Sequence, residues 1–144
     1  MNANSNRKQG WIVFAVLAGV GLLVAVIAIS ATSSSPRPFI GSTYRCNLDP
    51  TSVKSVVCNS GSSATRVASA ISSDVSPIDR RTASNGTIFL QYSDDIIAIK
   101  NSGVGAQIEV DDYDRGYAKH STYIGVFGWS SSRPGGSGFG GFGK

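Results

Sequence analysis

Histidine occurs once in these 144 residues, methionine once and cysteine twice, and charged residues make up only 15% of the chain. Each scarcity excludes something. A structural zinc centre normally takes four ligands, and Cys46, Cys58 and the distant His120 fall short of that set. A hydrolytic nucleophile needs a base within hydrogen-bond reach; His120 is the only histidine, and no serine stands in a Gly-x-Ser-x-Gly setting. The glycines near the C-terminus neither follow a strand nor open a helix, so there is no phosphate loop. No residue is therefore assigned to catalysis, to a cofactor or to a metal. The net charge of +4 does not indicate a nucleic-acid partner either. Without Arg7 and Lys8, eleven basic residues face nine acids, and they are interspersed.

What the chain does have is one long apolar run, Trp11 to Ile29, "WIVFAVLAGVGLLVAVIAI", 19 residues without a charge or proline. As a helix it would span roughly 28 Å, close to the ~30 Å hydrocarbon core of a bilayer. Arg7 and Lys8 precede it and no charge follows until Arg37, so the positive-inside rule places residues 1–10 in the cytoplasm and the rest outside. The expected location is the plasma membrane, with the bilayer as one partner and another membrane or envelope protein as a second. Ala18, Gly21, Ala25 and Ala28 line one stripe of such a helix and offer a packing face for a second helix. A cleaved signal peptide is the alternative, with a cut after Ser30 and Ala28 at the −3 position; the run is longer than a usual signal core.

Beyond it, residues 30–39 read as a Ser/Pro-rich tether, extended because proline disfavours helix at the residue before it. Residues 40–129 read as a small α+β domain. One or two short strands surround Cys46 and Cys58, which in an exported domain are expected to pair; a loop of this length is worth up to about 3 kcal/mol. The alternative is two separate small core residues. Ser62 or Ser63 can cap a helix through "ATRVASAISS", where Val67, Ala70 and Ile71 share a face. Residues 74–86 read as a surface loop ending in the turn pair Asn85-Gly86, which also begins an Asn-Gly-Thr glycosylation triplet.

"TIFLQYS", "DIIAIK" and "AQIEVDD" follow, with turns near Ser93-Asp94 and in "NSGVG". They predict an antiparallel β-meander of three to four strands, one face on the single packed helix and the other toward water. "YAKHSTYIGVFGW" suits either a last strand or a short helix. Residues 130–144 form a Gly/Ser-rich, low-complexity tail expected to be disordered, with Phe139 and Phe142 between its glycines.

The densest polar stretch is "IEVDDYDRGY", residues 108–117. An EF-hand loop needs oxygen ligands at its first, third and fifth positions, and neither Asp111 nor Asp112 as first residue satisfies that spacing. A strand end explains the stretch more simply: Ile108 and Val110 point inward, Glu109 and Asp111 face water, and the later acids belong to a turn. Asp111, Asp112, Asp114, Arg115 and Tyr117 are then a candidate interaction surface, with cation binding by the three aspartates as the alternative. Asp94 and Asp95, adjacent on a strand end, point to opposite faces and cannot flank one glycosidic bond.

"YRC" at 44–46, "VASAI" at 67–71, "FLQYSDDIIAI" at 89–99, "IEVDDYDRGY" and the Gly-rich tail ending in Lys144 together resemble the bacterial, mainly actinobacterial, family termed domain of unknown function 4247. The resemblance implies a small anchored or exported protein with a part in envelope or membrane homeostasis, and brings no catalytic residues with it. The resulting expectation is a non-enzymatic single-pass membrane protein whose outer domain binds an envelope component. A small-ligand or cation-binding module, or a cleaved secreted protein, are the alternatives.

Overall fold

The computed structural model describes residues 35–49 and 54–135. The apolar run and its Ala/Gly stripe lie outside them; among the described residues no helix is long and apolar enough to cross a membrane.

The described chain is an α+β domain. Its elements, in order, are α1 (Arg37–Tyr44), β1 (Val56–Ser60), α2 (Ala64–Asp74), β2 (Asp79–Thr82), β3 (Ile88–Gln91), β4 (Asp95–Ser102), β5 (Gly105–Asp112), α3 (Tyr113–Lys119) and α4 (Ser121–Phe127). One five-stranded sheet has the order β1-β5-β4-β3-β2, with every neighbouring pair antiparallel. The meander is therefore real but larger than expected. β2 arises inside the segment read as a loop, and β1 adds to the far side of β5.

Turn chemistry sets the register. Between β2 and β3, Gly86 takes φ 81° and the Asn85 side chain accepts the Thr87 N–H at 3.0 Å. Between β4 and β5, Gly103 takes φ 58°. Both are left-handed positions that glycine occupies without steric cost.

The alternation of side chains divides the core in two. Ile88, Leu90, Ile97, Ile99, Ile108 and Val110 pack on one face with Ile40 of α1 and Val67, Ala68 and Ile71 of α2. Phe89, Ile96 and Ala98 pack on the other with Tyr113, Ile124 and Trp129. The second face thus carries α3 and α4, which corrects the picture of a sheet with one packed helix and its other face toward water. β3 and the first five residues of β4 are buried throughout, as strands covered on both sides must be.

Two local readings also change. "IGSTYRC" is not a strand but the end of α1, which starts where Pro36 and Pro38 cost nothing, because the first N–H groups of a helix have no intrahelical partner. Ser63 stands at the N-cap of α2 but makes no side-chain cap bond; Asn101 of β4 accepts the Ala64 N–H at 2.9 Å instead. The cysteines pair as expected: Cys46–Cys58 is a disulfide closing twelve residues and tying the end of α1 to β1.

The placed chain runs past residue 129. The Tyr113 hydroxyl donates to the Ser130 carbonyl at 2.8 Å, and Arg133 reaches Asp94 at 3.2 Å and Asp114 at 3.0 Å as well as Asp112. The unstructured tail expected from residue 130 therefore does not begin there. Phe139 and Phe142 lie outside the described residues.

Candidate functional site

The site is built by β5 and the reversal that follows it. Ala106, Ile108 and Val110 enter the first core, so Gln107, Glu109 and Asp111 must point to the opposite face. At Tyr113 the backbone becomes helical with no intervening loop, and α3 folds back over that face. Gly116 permits the close approach: a Cβ there would lie 2.8 Å from the Ile96 Cβ and 3.2 Å from the Asp111 Cβ. The end of α3 and the junction with α4 then bring Lys119 and His120 above Glu109 and Asp111.

Lys119 Nζ makes a tight ion pair with Glu109 Oε1 and stands 3.7 Å from Asp111 Oδ2. His120 Nε2 lies 3.3 Å from Glu109 Oε2, inside ion-pair distance, but forms no hydrogen bond. The Asp111 side chain is 1% exposed, and among the described residues neither of its oxygens has a hydrogen-bond partner. One carboxylate oxygen from each acid and one imidazole nitrogen all fall within 4.8 Å of one another.

The electrostatics follow from burial and neighbours. For His120, burial dominates and lowers its pKa below the ordinary value, with Glu109 and Asp111 opposing; the ring is neutral near pH 7. For Lys119, slight burial is outweighed by the two carboxylates and its pKa rises, so it stays an ammonium.

A cleft of about 150 Å³ opens beside this cluster, with Glu109 and His120 in its wall. Phe89 forms its apolar side and meets the His120 ring edge-on at 5.1 Å. Tyr123 stands across from it, held by a hydrogen bond from Asn85 at 3.1 Å, and Lys100 and Gln107 supply polar wall.

The five residues picked out as one surface are not one surface. Asp111 is buried under α3, against the expectation that it and Glu109 face water. Asp112 and Asp114 turn the other way and are held by Arg133. Arg115 is exposed, and Tyr117 is half-buried against the second core. Sequence reasoning missed Glu109, Lys119 and His120 as a group. The alternation that placed Glu109 beside Asp111 was visible, but the helix that returns Lys119 and His120 was not.

The family model described as domain of unknown function (DUF4247) matches residues 22–142. The chain belongs to the DUF4247 family. No curated protein and no solved structure matches it. The family match spans every described element of the fold.

Proposed function

We propose that this chain is a membrane-anchored binding protein whose disulfide-closed domain works outside the cytoplasm as an accessory subunit of the cell envelope. The observation that carries the reading is the Cys46–Cys58 bond, because structural disulfides persist in oxidising compartments and are rare in the cytosol. The charge-free run Trp11–Ile29, with Arg7 and Lys8 before it, supports the anchor and its orientation.

A partner would meet the sheet edges first. Helices cover both faces, and among the described residues nothing pairs with the outer side of β1 or β2. Beside these edges, Val57 is 47% exposed and Ile78 56% exposed, so an added strand would find both backbone groups and apolar side chains. The reading is of a binding protein and not an enzyme. Both cysteines are tied up in the disulfide, and the ionic neighbours of the one histidine are carboxylates and an ammonium, not a hydroxyl or thiol nucleophile.

Fractionation of native membranes tests the anchor, and a pull-down of the intact chain in mild detergent tests the partner. The expected result is a chain that resists alkaline extraction, retains its first 29 residues and brings down a reproducible envelope protein. A mature polypeptide free in the medium and beginning near residue 31, or a cytosolic reporter fused to the C-terminus, would overturn it.

A further inference from the structure

Asp111 presents a problem that the fold alone does not solve. A buried carboxylate without a hydrogen bond is costly, and the cation that Asp111 meets is an ammonium at 3.7 Å already engaged with Glu109. The His120 Nε2 beside these acids is also buried and without a hydrogen bond among the described residues. Three potential ligand atoms, one each from Glu109, Asp111 and His120, thus converge from β5 and the α3–α4 junction beside the Lys119 ammonium.

We propose that Glu109, Asp111 and His120 form a binding site for a divalent transition-metal ion, with Zn²⁺ the best fit, and that Lys119 is the resident counter-ion such a metal displaces. The donor set selects the ion. Calcium and magnesium take oxygen ligands, whereas an imidazole nitrogen with carboxylates suits zinc and its first-row neighbours. Zinc–ligand bonds of roughly 2.0–2.2 Å require donor atoms about 3.5 Å apart. The three ligand atoms already lie within 4.8 Å of one another, a small contraction away from that spacing.

Lys119 can leave at little cost, since its side chain is 42% exposed on a flexible stem. Three protein ligands would leave zinc a further position, and Glu109 and His120 border the cleft, so that position would open toward Phe89 and Tyr123. Asp112 and Asp114 take no part, being held by Arg133. The site does not depend on the membrane or on any partner.

The test uses the untagged full chain in detergent, with thermal unfolding followed in ZnCl₂, CaCl₂ and MgCl₂, and Co²⁺ absorption as a report on the ligands. Zn²⁺ should raise the midpoint with the logarithm of its excess over Kd, while Ca²⁺ and Mg²⁺ should not. Co²⁺ should show d–d bands at one ion per chain. Asp111→Asn and His120→Ala should each abolish both signals; if one fails to fold, the other suffices. The decisive variant is Lys119→Met. As a competitor for the same carboxylates its loss should tighten Zn²⁺ binding about tenfold, corresponding to about 1.4 kcal/mol. If Lys119 is only a structural partner of Glu109, the variant will lower stability and zinc will not restore it. Zinc binding unchanged in Asp111→Asn and His120→Ala, or none at millimolar Zn²⁺, would also overturn the proposal.

Discussion

Arg37 and Asp95, 58 residues apart in sequence, form an ion pair at 2.7 Å with side chains only 3% and 4% exposed. Arg37 opens α1, the first described element after the segment that leads from the apolar run, and Asp95 opens β4 at the centre of the sheet. Burial raises the Asp95 pKa, against the lowering effect of Arg37 and of the Ser35 hydroxyl, which donates to it at 3.2 Å. The pair therefore locates the start of the domain on its sheet more than it stabilises it. Desolvating two charges offsets most of their attraction.

Removing one partner should be far worse than removing both. Arg37→Met leaves a buried carboxylate and should cost about 3–5 kcal/mol, while Arg37→Met with Asp95→Leu should recover most of that. A double-mutant cycle in urea gives the coupling. The exposed clamp of Arg133 on Asp94, Asp112 and Asp114 is the contrast: Arg133→Ala should cost at most about 1 kcal/mol, and less at high salt.

Gly116→Ala puts two effects against each other. Alanine is favoured over glycine inside a helix by about 1 kcal/mol. Here the new Cβ would sit 2.8 Å from the Ile96 Cβ, an atom that cannot swing aside, and overpacking of this kind costs about 1–3 kcal/mol. Steric conflict should win, with a net loss of stability and a disturbed Asp111 environment. A higher unfolding midpoint in Gly116→Ala would refute the close approach of α3.

Loss of the Cys46–Cys58 bond should lower stability by about 3 kcal/mol, the value expected for a loop of this size. Denaturant unfolding of a Cys46→Ala, Cys58→Ala double variant measures it, and agreement with the reduced wild type separates cross-linking from packing at Cys58.

Tyr92 should govern stability at alkaline pH. Its hydroxyl donates to the Val75 carbonyl at 2.8 Å; burial first, then Asp74 and Asp95, push its pKa well above the ordinary value. A folded-state pKa above the unfolded one means that the folded chain keeps its proton while the unfolded chain loses it. Stability is then whole below about pH 10 and falls as the pH rises beyond that. Tyr92→Phe should cost about 1 kcal/mol at neutral pH and flatten this decline, leaving the smaller contribution of Tyr44.

The strand cores were readable from the linear order of residues because their signal is local. Strict alternation of Ile108 and Val110 with Glu109 and Asp111, and the β-branched density of "DIIAIK", reflect the two-residue repeat of a pleated backbone, and the fold obeys both. Asn85-Gly86 marked a turn for the same reason: only certain residues take that backbone cheaply. The cysteine pairing was also foreseeable, from the expectation of export and from the spacing. Residues 113–127 carried no such signal. Two seven-residue helices are too short for a clear period, and their aromatics suit a strand equally well. What becomes of the acidic stretch therefore depended on a reversal at Asp112 and Tyr113 that no local pattern encodes. That reversal buries Asp111, leaves Asp112 and Asp114 to Arg133, and brings Lys119 and His120 onto β5. Local periodicity dictates which way a side chain points from its own strand; only the packing of one element on another determines what it meets there.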